Sequence, residues 1–177
     1  IHEFSLVSYD AKSFSDAYDA NAQVASLFYK KLKKAGHKVK NSVIDSSVDD
    51  TSILFLLKES IEEISDSFPC SIRIGVGFHN YDQGQYHYLG KALSDTEQLA
   101  HVSSLVKSFD LGYVEAPFYE TQLKTYLALK DLVHQSCLVC YSSKIHEFTV
   151  ALLEHSFTAV LFDYPNLTDF RDNLHAF

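Results

Sequence analysis

From residue 71 onward, strand patterns and helix patterns alternate along the sequence, and this alternation limits the folds open to the chain. Residues 72–77 place isoleucine or valine at every second position, as in a strand with one buried face. Parallel strands joined by helical crossovers produce such an order. The sequence therefore predicts an α/β fold in which one curved sheet contains strands near 2–8, 72–77, 111–116, 138–141 and 158–163.

The part of the chain before residue 71 contains two helix patterns. The first helix begins at a Ser13 or Ser15 cap, carries an apolar stripe at helical spacing and is stopped by Gly36. The second is predicted from Thr51 to Phe68, where a proline ends it. Residues 39–50 between them are predicted to be a polar loop.

Turn and cap signals place the remaining elements. Tyr81 to Tyr88 are predicted to form a hairpin around Asp82, Gln83 and Gly84. Ser94 to Glu97 is a capping box that begins a helix. Further helices are expected at 120–134, at 144–155 and after a Thr168 cap.

Composition and charge restrict the class of protein. The 177 residues are 46% apolar, which suits a single folded domain over residues 1–177. A net charge of −8 argues against nucleic acid and anionic membrane surfaces as partners. Three cysteines cannot all pair internally, so a reducing compartment, the cytoplasm, is expected. The sequence contains no methionine, and we expect it to be part of a longer chain.

One carboxylate stands out in the stretch from Gly112 to Phe118. Glu115 lies between apolar Val114 and Ala116, and a proline follows. A charge in such a run is costly unless it faces water or binds something. Sites of α/β sheets and barrels lie at the carboxyl ends of parallel strands, which is where this residue is expected. Glu115 is therefore either an acid facing water or part of a residual ligand site.

Several ordered motifs resemble the C-terminal barrel domain of enolases. Val114 to Phe118 is similar to the family's fourth barrel strand, Ile-Glu-Asp-Pro-Phe, and Ile1 to Phe4 is similar to Leu-Gln-Glu-Phe. Ile74 to Gly77 resembles Ile-Gly-Leu-Asp, and Gly84 to Tyr86 resembles Gly-Lys-Tyr. The resemblance extends over essentially the whole chain, from the family's second barrel strand to just after its sixth. It implies a partial TIM-like (β/α) barrel.

The resemblance also implies which functional positions are kept. Enolases dehydrate 2-phosphoglycerate to phosphoenolpyruvate with magnesium ions, a lysine base and a glutamate acid. Glu3 keeps an active-site glutamate and Glu115 keeps the second metal carboxylate. Asp45 falls at the acid glutamate, inside a loop at 41–47 that replaces Gly-Asp-Glu-Gly-Gly.

The other positions that the resemblance identifies are changed. Gly77 stands at the first metal aspartate, Tyr141 at the third, and Asp163 at the base lysine. Ala116 and Ser142 replace the acids next to two of the metal ligands. Magnesium requires octahedral oxygen ligation, so we expect no catalytic residues, no metal ligands and no cofactor. Glu3, Asp45, Asp163 and Glu115 then remain only as remnants.

Other clusters have simpler interpretations. Cys137 and Cys140 are three residues apart on a predicted strand and so face opposite sides, which argues against a redox pair. His79 and His87 flank the hairpin and could meet at a metal, although scattered surface histidines are the commoner case. Tyrosines 81, 86 and 88 are expected to pack the hairpin rather than bind a ligand.

Two functions from different classes follow. The first is a non-catalytic enolase-like module with a structural or protein-binding role, covered by the rest of a longer chain, by other protein subunits or by a second copy. The second is a divergent enolase whose magnesium site is rearranged around Glu115, with acids from Asp49, Asp50 or Asp82. Because the strands near Ile1 and Thr158 would leave unpaired edges, we do not expect the chain alone to be a monomer.

Overall fold

The computed structural model describes residues 1–40, 43–44, 48–88, 90–119, 121–133, 135, 137–143 and 159–162. The strands are β1 (Glu3–Tyr9), β2 (Val39–Lys40), β3 (Val43–Ile44), β4 (Ser71–Gly77), β5 (Tyr81–Asp82), β6 (Gln85–Tyr88), β7 (Lys91–Leu93), β8 (Tyr113–Glu115), β9 (Leu138–Ser143) and β10 (Ala159–Phe162). The helices are α1 (Phe14–Lys34), α2 (Asp50–Ile64), α3 (Asp95–Phe109) and α4 (Leu123–Leu132), with a 3-10 turn at Ser65–Ser67.

The main sheet has five strands in the order β1-β4-β8-β9-β10. Strands β4, β8, β9 and β10 are parallel to one another, whereas β1 is antiparallel to β4. The prediction that these five segments share one sheet, with parallel pairing among the last four, is confirmed. The sheet is open, with β1 and β10 at its edges in the described part of the chain. The structure thus supports an α/β fold and not a closed TIM barrel.

One face of the sheet packs against the helices. Phe4 pairs with Val76, Val76 with Val114, and Val114 with Val139. The three valines are fully buried and belong to the core that the helices cover. Burying each valine side chain contributes about 1.5–3 kcal/mol of transfer free energy. Neighbouring residues on these strands alternate to the opposite face, which carries the candidate site.

Helix α1 follows the sequence prediction closely. Ser13 is the cap, and its Oγ accepts a hydrogen bond from the backbone N–H of Asp16 at 3.1 Å. The helix ends at Lys34, and Gly36 then adopts a φ of +85° that other residues rarely tolerate. Its buried positions follow the predicted apolar stripe: Ala20, Val24, Phe28 and Leu32.

Three local predictions need correction. The polar loop expected at 39–50 contains a small antiparallel pair, β2 and β3, in which Val39 faces Ile44. These β-branched residues favour extended backbone within an otherwise polar segment. The hairpin at Tyr81–Tyr88 gains a third strand, β7, because Leu93 pairs with Tyr86. Helix α2 ends earlier than predicted, at Ile64, and continues only as the 3-10 turn.

Helix α3 has the predicted capping box in full. The Ser94 side chain accepts from the Glu97 backbone N–H, and the Glu97 carboxylate accepts from the Ser94 backbone N–H. Helix α4 is shorter than the predicted 120–134, and β9 runs two residues beyond the predicted Tyr141. The helix expected at 144–155 and the Thr168 cap lie outside the described residues. Within the described part, no helix has both the length and the apolar character needed to cross a membrane.

Candidate functional site

The candidate site is a row of paired residues across the sheet face opposite the three buried valines. Glu3 pairs with Gly77, Gly77 pairs with Glu115, and Glu115 pairs with Cys140. Gly77 and Glu115 are the last residues of parallel strands, and Glu3 begins the antiparallel β1 at the same end. Two of the predicted remnant acids are therefore brought to one edge, on either side of a residue that has no side chain.

Glu115 is held by its neighbour on the same strand. Tyr113 donates a hydrogen bond from its Oη to Glu115 Oε2 at 2.7 Å, and both side chains are half-buried. Burial raises the pKa of Tyr113, and the hydrogen bond to Glu115 raises it further, so the phenol remains a neutral donor. Part of the acceptor capacity of this carboxylate is consequently used within the chain.

The backbone around Glu115 is fixed on both sides. Phe78 donates from its backbone N–H to the Glu115 carbonyl at 3.0 Å, and Ala116 donates to the Cys140 carbonyl at 3.1 Å. Ala116 has a φ of +44°, in the left-handed region that is unfavourable for a residue with a Cβ. The chain thus leaves the extended strand conformation directly after the carboxylate.

The two glycines of β4 differ in the space around them. A Cβ on Gly77 would lie 3.4 Å from the Glu3 Cβ, which is an ordinary van der Waals contact. A Cβ on Gly75 would collide with the Ser5 hydroxyl and crowd Tyr113. Gly75 is therefore required by packing, whereas the fold leaves room for a side chain at Gly77.

The strand register places Cys140 next to Glu115 in the row. Tyr141, which the resemblance sets at the third metal carboxylate, is the next residue on β9 and pairs with Val160 of β10. Cys140 and Cys137 are both buried, and burial raises the pKa of Cys137 to about 12. A buried thiol with a raised pKa is a poor nucleophile and a poor redox group. Only the strand register could reveal that Cys140 belongs to the row.

The other described acids of the predicted site are not paired with this row in the sheet. Asp49 caps α2, where hydrogen bonds from Ser52 lower the pKa of its carboxyl. Asp50 and Glu3 line the same cavity of about 750 Å³ between β1 and the helices α1 and α2, and the Asp50 carboxylate pairs with the Ile1 amino group at 2.6 Å. Asp82 lines a separate cavity beyond the strand ends. Asp45 and Asp163 lie outside the described residues.

Two cavities lie beyond the ends of β4 and β8. His79 and His87 line one of about 420 Å³, as the hairpin geometry suggested, but His79 packs edge-on against His2, with ring centroids 4.9 Å apart. The other, of about 280 Å³, is lined by aromatic rings, including Tyr81 stacked on Tyr119 at 4.5 Å. In the part of the chain that is described, no three His, Cys, Asp or Glu side chains are placed to hold a metal ion.

The tyrosines of the hairpin mostly serve packing. Tyr86 is buried, donates to the Gln122 side chain, and accepts from the Tyr119 backbone N–H at 3.0 Å. Burial raises its pKa to about 12. Tyr88 packs on His101 with ring centroids 4.3 Å apart. These contacts agree with the expectation that the cluster stabilises the hairpin.

The protein is an α/β protein with a partly parallel sheet and two carboxylates at one strand-end edge. Sequence comparison identifies the proteins that it resembles. The chain is 31% identical to an enolase of Natronomonas pharaonis over 146 residues, covering 79% of this chain and 37% of the relative. It is 28% identical to an enolase of Archaeoglobus fulgidus and 29% identical to one of Halobacterium salinarum, again over 79% of this chain. The resemblance to enolases is thereby confirmed.

The match is confined to part of the relatives. The chain spans about 37% of the length of the curated enolases that it matches. No family model matches the sequence. The chain is thus enolase-like. Because it covers only part of its relatives, the function proposed for it has to be argued from the residues of the chain itself.

Proposed function

We propose that this chain is a non-catalytic enolase-like module with a structural or protein-binding role. The observation that carries the proposal is the row in which Gly77 lies between Glu3 and Glu115. The resemblance implies a metal aspartate where Gly77 stands. Magnesium needs near-octahedral oxygen ligation, with carboxylates supplying its protein ligands. Without a ligand at Gly77, and with Glu115 bound to Tyr113, the row is a weak magnesium site.

The sequence at the implied base position supports the same proposal. Asp163 stands where the resemblance implies a lysine, and a carboxylate is a much weaker base than an amine. A carboxylate also repels a polyanionic substrate, by roughly 1–4 kcal/mol at 4 Å for dielectric constants of 80 to 20. Both effects oppose proton abstraction next to a carboxylate.

A binding role is supported by the shape of the sheet. We propose that the open sheet corresponds to a sector of a (β/α) barrel and that residues 1–177 act as one unit. An eight-stranded barrel typically requires about 250 residues, and β1 and β10 are the outermost strands described. Such edges are usually paired or covered. The cover would come from further sequence of a longer chain, from a second copy or from other proteins.

The competing function is a divergent enolase, and the row itself gives it some support. Glu3 and Glu115 approach the same edge, and the gap above Gly77 could admit a cation held by both. This alternative requires a third acid from another part of the chain. Asp49 is engaged as the cap of α2. Asp50 lines the same cavity as Glu3, but its carboxylate pairs with the Ile1 amino group at 2.6 Å. Asp82 lines a separate cavity.

Turnover of 2-phosphoglycerate with magnesium distinguishes the two functions. The purified chain should form no phosphoenolpyruvate above the level of a Glu3→Gln/Glu115→Gln variant purified in the same way. The variant controls for contaminating host enolase, and the Archaeoglobus fulgidus enolase serves as the positive control. Activity that is present in the chain and lost in the variant would overturn the proposal.

A further inference from the structure

The cavity of about 750 Å³ along β1 has the size and composition of a ligand site. Such sites are typically cavities of about 300–1,000 Å³ with mostly apolar walls and a few polar groups. Side chains from both faces of β1 line this cavity, with Phe4 and Leu6 on the helix side and Glu3 and Ser5 on the other. Because β1 is an edge strand of the described sheet, the cavity passes around that edge.

The wall that the helices form is apolar. Ile53 and Leu57 of α2 follow Asp50 at helical spacing, and each is only 4% exposed. From Asp50 to Leu57 the helix axis extends about 10 Å. Helix α1 contributes a second row at the same spacing: Ala25, Phe28 and Tyr29. An apolar chain of about this length would therefore be covered by both helices.

The polar side chains of the cavity lie around Asp50. The Asp50 carboxylate pairs with the Ile1 amino group at 2.6 Å, and the Cα atoms of Ile1 and Glu3 are at most about 7 Å apart. Burial raises the pKa of Tyr88 to about 12, and the Asp50 carboxylate acts in the same direction, so the Tyr88 phenol is a neutral group at this end. The cavity is thus amphipathic, with a polar end and an apolar wall.

The charges of the polar end are not balanced. Asp50 has a cationic partner in Ile1, whereas Glu3 forms no ion pair in the described part of the chain. Among the described residues, neither lysine nor arginine lines the cavity. Glu3 and His87 are exposed, so this end opens to solvent. The lining therefore carries an uncompensated negative charge that a ligand with a single positive charge would complement.

We propose that this cavity binds a small-molecule primary amine with an apolar body, such as an alkylamine or an arylalkylamine. The ammonium group pairs with the Glu3 carboxylate. An ammonium has three N–H donors, and the Ser5 hydroxyl and the His87 ring in the same lining supply further acceptors. The apolar body lies along Ile53 and Leu57, where it is removed from water.

This inference goes beyond the proposed function and does not depend on it, because amine binding between β1 and the helices requires no turnover of 2-phosphoglycerate. The test is titration calorimetry of the purified chain at pH 7 and low salt with octylamine, hexylamine, 1-octanol and octanoate. Octylamine should bind about fivefold more tightly than 1-octanol, as expected for a solvent-exposed ion pair, and octanoate should bind less tightly than either. Hexylamine should bind roughly tenfold less tightly than octylamine, because each buried methylene group contributes about fourfold.

Two variants with matched controls identify the site. Glu3→Gln should reduce the preference for octylamine over 1-octanol to about twofold or less while leaving the affinity for 1-octanol unchanged. Glu62→Gln, which neutralises an exposed acid of α2 outside the lining, should keep the preference. Ala25→Leu fills part of the cavity and should weaken both ligands by about fivefold or more, whereas Ala22→Leu, at an exposed position of α1 outside the lining, should not.

Far-ultraviolet circular dichroism confirms that each variant is folded. Because Glu3 is exposed, Glu3→Gln should fold whatever the outcome for Ala25→Leu. A parent chain that does not bind octylamine, or that binds octylamine and 1-octanol equally, would overturn the inference. So would a preference for the amine that survives in Glu3→Gln, or binding that is unchanged in a folded Ala25→Leu variant.

Discussion

Replacing Gly77 with aspartate should create the metal site that the row lacks. The new Cβ fits, at 3.4 Å from the Glu3 Cβ, and neighbouring strands are about 4.8 Å apart, so the new carboxylate would lie between Glu3 and Glu115. Three carboxylates would then converge at one strand-end edge. Oxygen ligands of this type are what magnesium and manganese prefer.

The variant should show opposite stability changes without and with metal. Without metal, repulsion between carboxylates about 4 Å apart costs roughly 1–4 kcal/mol, depending on local screening. A divalent cation at a hundred times its dissociation constant returns about 2.7 kcal/mol. We therefore expect Gly77→Asp to unfold at a lower temperature than the parent chain in chelator, and to recover most of the difference in magnesium or manganese.

Calorimetry with and without manganese chloride measures this, and Gly77→Asn is the matched control. Asparagine has nearly the same shape but no charge, so it should show neither the loss nor most of the recovery. Gly77→Asp/Glu115→Gln should lose the manganese response. If Gly77→Asp folds but manganese does not stabilise it, then Glu3 and Glu115 do not converge on this position and the interpretation of the row is wrong.

Three further predictions concern stability. Gly112→Ala should destabilise the chain by about 1–3 kcal/mol in urea unfolding, because the added Cβ would collide with the Tyr9 hydroxyl and lie 2.9 Å from the Arg73 Cβ. An unchanged midpoint would refute this close packing around Gly112. Ala116→Gly should stabilise it by about 1 kcal/mol, since it removes the left-handed strain at φ +44°, and a loss of stability would show that this strain is not significant. Burial lowers the pKa of His101, whose buried Nε2 has no hydrogen-bond partner in the described part. The stability contributed by its neutral form is therefore fully present above the unfolded pKa of about 6.5, and it is lost as pH falls below that value and through the lower folded pKa. His101→Phe, which keeps a ring against Tyr88, should therefore lose less stability than the parent between about pH 7 and 5.5, and equal losses would contradict this.

The sequence by itself determined the local elements of this protein. The Ser13 cap, the Ser94–Glu97 capping box and the stop at Gly36 all depend on side chains within a few residues of the backbone groups they contact. Strand periodicity identified the five strands of the main sheet for the same reason, because alternation is a property of consecutive residues. The enolase resemblance was also available from short ordered motifs, and it identified Glu3 and Glu115.

Only the tertiary structure decided how these pieces meet. Pairing between distant strands fixed the antiparallel direction of β1, the row of Glu3, Gly77 and Glu115, and the pairing of Cys140 with Glu115. A shift of one residue in register moves every side chain to the other face, and no local pattern specifies that shift. The sequence therefore indicated which acids to examine, whereas the register determined that a glycine separates them.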